Sequence, residues 1–406
     1  MSDRTEKAPV LVTNGWVRTA YNVVESLGRR GIPVHVVDRS LRAMCRASRW
    51  AKSFHRVPNF FDEPEAYAQA VGDVARRVGA RVLIPVLEDV IALAAHEDVL
   101  PEGLAFVHAD VGALRLANDK WEVTKLCERL GVPCAASFVP GSLDELRSRA
   151  GALEYPAVVK TRLGNAGKGV VFVKDENDLV ARFAEIVDRF SIPAEKWPMV
   201  QEFLGSDVSG VCMIYDRGRL AAASAETYLR CKEGNRFSTS VYRRSAYDPE
   251  GLANCKKVAD ALGWHGVLHF DLIRDPKTGV GKITEINPRF WGGLSVAIAA
   301  GVDFPYMLYE LALTGKIAAP PATYRDGVYA RWVLGELIGL LNLAKRKAPA
   351  GEKLRELGEI VRSPFKGTTD DFRLSDPLPF VMEMYDYFRR YRSTRSSNPA
   401  EEGMVG

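Results

Sequence analysis

From residue 9 the chain reads as an apolar run that breaks into a polar turn, PVLVTNG. An amphipathic stretch ending in NVVESLGRRG follows, and then a second β-branched run, IPVHVVDR. The spacing predicts strand, helix, strand, and YAQAVGDVARRVGARVLIPV repeats the helix–strand half of the unit. Strands alternating with helices predict a parallel sheet in an α/β domain that ends near residue 115. Asn14 and Gly15 fall just after the first strand, where such sheets bind ligands. No GxGxxG follows that strand, which argues against a dinucleotide site. Asp38, at the end of the second strand, reads either as a ribose-binding acid or as a loop or cap residue.

The pattern then changes. In ANDKWEVTKLCERLGVPC, Trp121, Val123, Leu126 and Leu130 form a helical apolar stripe, with Asn118 as the expected N-cap and Gly131 as the stop. The stripe does not explain Asp119 and Lys120. YPAVVKTRLGNAGKGVVFVKD predicts a β-hairpin around a glycine-rich loop, since no Walker lysine–serine pair follows and the second element is β-branched. Such glycines let backbone N–H groups approach phosphate oxygens, and Lys160 and Lys168 add positive charge. A plain flexible hairpin is the alternative. PMVQEFLGSD is a further strand running into a polar turn, and VCMIYD, RLAAASAETY and VLHFDLIRD continue the strand pattern.

In ITEINPRFWGG, residues 283–293, Glu285, Asn287 and Arg289 alternate and so share a face. Pro288 has no N–H, so the strand should end there or lie at an edge. Taken alone, the fragment fits either a solvated edge strand or a Mg²⁺ site with Arg289 beside it for an anion. His269 and Asp271 share a face of the preceding strand. Antiparallel pairing would set Asp271 beside Glu285 and Asn287, which favours the metal reading.

Hydrophobic residues make up 47% of the 406 and charged residues 26%, as in an ordinary globular enzyme. The net charge of +4 is too small to argue for nucleic acid. The six cysteines are scattered with no CxxC pair, which predicts reduced thiols in a cytoplasm rather than disulfides or a zinc finger. The N-terminus carries only a short apolar run, so no secretory signal is expected. LSVAIAAGVDFPYMLYELAL, from Leu294, contains Asp303, Pro305 and Glu310 and reads as a buried helix pair with no membrane span. His265 and His269 lie on a strand, which argues against a helical HxxxH zinc site, and no GxSxG or catalytic cysteine signature is present.

Taken in order, NDK at 118–120, YPAVVK ending at 160, GNAGKGV at 164–170, VQEFLGSD at 200–207, HFDL at 269–272 and ITEINPRFWGG resemble the ATP-grasp superfamily over about residues 1–315. The nearest resemblance is to carboxylate–amine ligases whose motif reads EINPRFWG followed by AAGVDFPYLLY. The resemblance implies an α/β (α+β) ATP-grasp fold. Residues 1–115 would form a Rossmann-like N-terminal domain, and 116–197 a small subdomain with the glycine flap. Residues 198–315 would form a large subdomain with the metal site, and 316–406 a helical C-terminal extension with a disordered tail. The two subdomains would clamp ATP.

Site roles are implied in the same way. Lys120 and Lys160 would contact phosphates, and Gly164, Gly167, Lys168 and Gly169 would belong to the closing loop. Gln201, Glu202, Phe203 and Leu204 would form the adenine hinge, and Asp207 would hold the ribose. Asp271, Glu285 and Asn287 would hold Mg²⁺, with Mn²⁺ as a substitute, and Arg289 would stabilise the acyl phosphate. Asp271 stands where glutamate is common in the family, and Gln201 where an acid is common. Within RCKEGNRFSTSVYRR, residues 230–244, five cations exceed what a solvated loop requires, and Arg230 or Lys232 is the candidate for phosphate or substrate carboxylate.

The expected activity is ATP-dependent joining of a small-molecule carboxylate to an amine, with ADP and phosphate released. A sibling reaction with a thiol nucleophile or carboxyl phosphate chemistry, a non-catalytic nucleotide-binding regulator and a Rossmann oxidoreductase are the alternatives. The intact acids and Arg289 count against the regulator. Helical patterns in WVLGELIGLLNLAKRK and DPLPFVMEMYDYFRRY predict that the C-terminal region covers the active site or mediates a homodimer.

Overall fold

The computed structural model describes residues 7–164, 169–232, 239–345, 349–363 and 367–394. In the N-terminal unit, β1 (Val10–Val12), β2 (Val34–Asp38), β3 (Ala51–Arg56), β4 (Val82–Ile84) and β5 (Ala105–Phe106) form a parallel sheet of order β3-β2-β1-β4-β5. Alternate residues face opposite sides. Val10, Val12, Val34 and Val36 pack with α1 (Arg18–Arg29), while Leu11, Val37 and Leu83 pack with α2 (Pro64–Val78) and α3 (Asp89–Ala95). Burial on both faces is why these strands read as continuous apolar runs. Asp38 accepts hydrogen bonds from the Trp16 and Ser40 amides at 2.9 and 2.6 Å, so it caps the turns after β1 and β2. Gly15 is required there, because a Cβ would meet Val36 Cγ1 at 2.5 Å.

The next unit contains α4 (Val111–Asn118), α5 (Lys120–Leu130), β6 (Ser137–Phe138), α6 (Leu143–Ala150), β7 (Ala157–Lys160), β8 (Val170–Val173), α7 (Glu176–Phe190) and β9 (Met199–Glu202). Its antiparallel sheet has order β6-β9-β7-β8, covered by α6 and α7 through Leu146, Leu179 and Phe183. The hairpin β7–β8 forms as expected, with Lys160 opposite Val170. The N-cap differs from the expectation. Asn118 is the last residue of α4, and Asp119 caps α5 by accepting from the Trp121 and Glu122 amides at 3.0 and 3.3 Å. A second short helix just upstream displaces the cap by one residue, and Arg162 holds the Asp119 carboxylate at 2.5 Å.

The largest sheet has order β14-β13-β10-β11-β12-β15-β16. Its strands are β10 (Val208–Asp216), β11 (Arg219–Cys231), β12 (Ser240–Ser245), β13 (Gly266–Arg274), β14 (Gly281–Asn287), β15 (Tyr329–Arg331) and β16 (Thr368–Thr369). The helix α8 (Pro249–Ala261) packs beneath it through Cys255 and Val258. Helices α9 (Leu294–Ala300) and α10 (Phe304–Thr314) form the expected buried pair, bent by 85°. They join the N-terminal unit to the large sheet in one core through Trp291, Leu294, Phe304 and Leu308. No single described helix is long and apolar enough to cross a membrane.

Beyond residue 315 the chain is helical, with α11 (Val333–Lys345), α12 (Ala350–Arg362) and α13 (Leu378–Thr394), but it also supplies β15 and β16 to the large sheet. Asp370 fixes that segment. It is fully buried, accepts from Arg243 Nη2 at 2.6 Å and from Ser295 Oγ, and lies 3.6 Å from Arg18 Nε. The expected tail lies outside the described residues from 395 onward.

Candidate active site

A cavity of about 370 Å³ lies where the three units meet. Its floor is one face of the large sheet. Antiparallel pairing sets Asp271 opposite Glu285 and His269 opposite Asn287, as the sequence reading required. β14 ends at Asn287, before Pro288. Arg289 lies in the turn beyond, and its Nη2 reaches back to Asn287 Oδ1 at 2.9 Å.

Lys120, at the first turn of α5, lies 3.3 Å from a Glu285 oxygen and donates to the Gly164 carbonyl at 2.5 Å. Lys160, at the end of β7, donates to the Thr284 carbonyl at 3.1 Å. Burial lowers the Lys160 ammonium to about 8, although Glu285 opposes the shift. Burial pushes Asp271 well up, and the adjacent Glu285 charge adds to it. Burial would raise Glu285 as well, but Lys120 and Lys160 outweigh it and hold the carboxyl near 2. Asp271, pushed up, and Glu285, held down, stand opposite each other, so two carboxyl groups meet with one proton between them. Two converging carboxyls that must share a proton are a donor set that a hard divalent cation fits, by displacing that proton. Asn287 turns its amide nitrogen toward Asp271 at 3.0 Å and its oxygen toward Arg289.

The wall above is the small sheet. Gln201, Glu202, Phe203 and Leu204 all line the cavity. Gln201 Nε2 donates to Ser137 Oγ at 2.8 Å, and Glu202 is held by Lys282 at 2.7 Å and by the Ala136 amide at 2.8 Å. Both side chains are thus occupied, and the Glu202 amide donates to the Ala136 carbonyl at 2.9 Å. Phe203 packs edge-on against Phe172 of β8 at 5.8 Å. Gly164 and Gly169 flank the hairpin loop with φ of 114° and 66°. A Cβ on Gly169 would lie 2.6 Å from Thr161, so glycine is needed there. Gly167 and Lys168 lie outside the described residues.

Several proposed residues are placed elsewhere. Asp207 does not line the cavity. It is largely exposed beside Arg274 at 3.6 Å, and Val208 takes the cavity position. Arg230 also turns away from the cavity. It pairs with Glu336, donates to Ser363 Oγ at 3.1 Å and stacks on Tyr242. Lys232 does line the cavity, between the rings of Trp332 and Tyr387 at 5.7 and 6.0 Å. Arg236 falls outside the described residues, and Arg243 is committed to Asp370.

The sequence reading missed the other half of the cavity. Glu88, just before α3, holds Arg289 Nε at 2.7 Å. Trp16, Arg18 and Arg42 come from the N-terminal unit, and Trp332, Glu383, Asp386 and Tyr387 from beyond residue 331. Arg18 lies over the Trp332 ring at 4.1 Å, the Trp332 indole N–H donates to Glu383 at 3.2 Å, and Arg42 binds Asp386 at 3.0 Å. These are single residues in unrelated stretches, with no shared spacing to mark them.

A glycine hairpin and a two-sheet clamp over paired acids and lysines define a nucleotide-binding site of the ATP-grasp kind. Residues 195–334 match the family described as ATP-grasp in the biosynthetic pathway with Ter operon, and residues 119–195 match the carbamoyl-phosphate synthase L chain ATP-binding domain. The chain belongs to the ATP-grasp superfamily. It is 27% identical over 300 residues to the formate-dependent phosphoribosylglycinamide formyltransferase of Corynebacterium glutamicum, covering 71% of this chain and 70% of that one. Its fold is similar to the biotin carboxylase domain of Hydrogenobacter thermophilus 2-oxoglutarate carboxylase, with TM-score 0.65, 19% identity and coverage of 80% and 74% of the two chains. It is also similar to the L-amino acid ligase of Bacillus licheniformis, with TM-score 0.58, 18% identity and coverage of 76% and 75%.

Proposed function

We propose that this chain is an ATP-dependent ligase that joins a small-molecule carboxylate to an amine through an acyl phosphate, releasing ADP and phosphate. The observation that carries the reading is the single cavity itself. Lys120, Lys160, Asp271 and Glu285 form one cluster on its lining, Arg18, Lys232, Trp332 and Glu383 form another, and Arg289 lines the same cavity. Nucleotide and a second substrate can therefore meet at Arg289.

Lys120 and Lys160 hold the phosphate oxygens, and the backbone of 202–204 holds the adenine. Asp271 and Glu285 would hold Mg²⁺, which neutralises phosphate charge during transfer, and Mn²⁺ suits the same oxygen donors. A substrate carboxylate oxygen attacks the γ-phosphorus and the bond to ADP breaks. The amine nitrogen then attacks the acyl carbon, phosphate leaves, and the nitrogen loses a proton. Arg289, fixed by Glu88, faces the oxygen charge that develops at the acyl centre. A protein nucleophile is not required. Cys231, a thiol on the cavity wall, is pushed up to about 11 by burial and stays protonated.

The relatives named above, a formyltransferase and an amino acid ligase, support this chemistry. The test is phosphate release from ATP with acids and amines supplied in pairs. Release that needs both partners, with a new amide seen by mass spectrometry, supports the proposal. Release with a thiol in place of the amine, or oxidation of a nicotinamide cofactor, overturns it.

A further inference from the structure

Behind the paired acids, the same face of the large sheet carries a second set of donors. On adjacent strands Cys212 of β10 stands opposite Ser224 of β11 and His269 of β13. Two residues along, Glu226 of β11 stands opposite Gly210, which in turn faces Asp271. Cys212 Sγ, a Glu226 carboxylate oxygen and a His269 ring nitrogen all lie within 4.8 Å of one another. The three residues are 1%, 2% and 2% exposed.

Neither Glu226 oxygen has a hydrogen-bond partner, and neither does His269 Nε2. A carboxylate stripped of water and left without a donor is costly, so this geometry calls for a cation or a proton to complete it. Two glycines keep the space open. A Cβ on Gly210 would stand 2.6 Å from His269 Nε2, and one on Gly293 would overlap both Glu226 oxygens.

We propose that Cys212, Glu226 and His269 form a second divalent-cation site, of the Zn²⁺ class, distinct from the Asp271–Glu285 site and independent of the ligase reading. One sulfur, one imidazole nitrogen and one carboxylate oxygen are the donor mix that Zn²⁺ takes and Mg²⁺ does not. A thiolate and a carboxylate together neutralise the ion, which suits a dry interior. A zinc ion with metal–ligand distances of about 2.0–2.3 Å bridges donor atoms this close together. His269 Nδ1 faces Asp271 Oδ2 at 3.8 Å and the Asn287 amide group at 3.4 Å. At 3.8 Å Asp271 is beyond hydrogen-bond reach of Nδ1, so ligation through Nε2 requires only the tautomer whose proton sits on Nδ1, on the side of the Asp271 carboxylate. His269 and Gly293 line the cavity, so an ion can reach the site from there. Bound, it would tie β10, β11 and β13 together directly behind Asp271.

The test uses the full chain, stripped with a chelator, returned to Zn²⁺ or Co²⁺ in excess Mg²⁺ and then desalted. We expect one equivalent of zinc to be retained. In the cobalt form we expect a thiolate-to-metal charge-transfer band, absent in Cys212→Ser, with zinc affinity at least tenfold weaker in Cys212→Ser and in Glu226→Gln. Should the variants fail to fold, X-ray absorption of the zinc-loaded native chain decides, with one sulfur at about 2.3 Å expected. Substoichiometric zinc, a zinc shell without sulfur, or a crystal structure of the zinc-treated chain with a water between these residues overturns the proposal.

Discussion

Arg289→Ala separates the two roles that its surroundings give this residue. The guanidinium is 12% exposed and its partner Glu88 11%, with Nε and Oε1 at 2.7 Å. Removing one partner of a buried pair costs about 3–5 kcal/mol, and partial exposure at both ends should reduce this to about 2–3 kcal/mol. If Arg289 also meets charge in the transition state, kcat should fall by about 10²–10³, the loss typical of a single preorganised donor. A stability defect alone could imitate that fall by reducing the folded fraction. The pair Arg289→Ala/Glu88→Ala removes both charges together and should recover most of the lost Tm while kcat stays low. The assay is steady-state phosphate release beside thermal unfolding and nucleotide titration, on each single variant and the double. Nucleotide affinity should change little, because Lys120, Lys160 and the backbone of 202–204 are untouched. Recovery of kcat together with Tm in the double variant would show that Arg289 is only a structural tie. Lost ATP binding with normal kcat at saturation would make it a nucleotide anchor, and the mechanism would be wrong.

Glu285→Gln should abolish turnover yet leave nucleotide affinity within about an order of magnitude, read by kinetics and calorimetry; a fully active variant would remove the metal assignment. Lys160 is lowered to about 8, so its charged form is lost as pH rises through that value, and the nucleotide Kd should rise by up to about tenfold per pH unit above it. Lys160→Arg stays charged throughout, and a slope that persists in that variant would point to another group. Asp370→Ala strands Arg243, which is 1% exposed, and should destabilise the fold by about 3–5 kcal/mol; an unchanged Tm would refute the tie between the C-terminal segment and the large sheet.

The part of the cavity around Asp271 and Glu285 was legible in the sequence because its geometry is local. Period-two alternation is enough to put Glu285 and Asn287 on one face, and a short turn, PKTGVG, is enough to bring Asp271 beside them. Glycines at 164 and 169 announce positive φ through their residue type. The errors also have local causes. Asn118 and Asp119 are both good caps, and only the helix upstream decides between them. Arg230 looked like a substrate cation because nothing within its own stretch shows that Glu336, more than a hundred residues away, claims it. β3 and β5 gave no clear signal, since the edge strand β3 is only partly buried and β5 has two residues.

The other half of the cavity is illegible for a deeper reason. Its walls come from residue 16, from residue 42 and from α13, and α13 is held there by packing around Trp332 and by the bond from Arg42 to Asp386. Each contributes a side chain at a position that, in its own segment, is simply one polar or aromatic residue among others. The elements that perform phosphoryl transfer must keep fixed spacings, because ATP has one shape. Walls that contact a second substrate, as proposed here for this side of the cavity, would answer only to that substrate. Trp332 shows what this implies: it carries Arg18 on its face and Glu383 on its N–H, so one indole sets the positions of a cation and an acid from opposite ends of the chain. If the proposed ligase reading holds, substitutions at Trp332 should alter which acid or amine supports phosphate release while leaving ATP affinity intact; an unchanged preference for acid and amine in Trp332→Ala would refute a role for this wall in substrate choice.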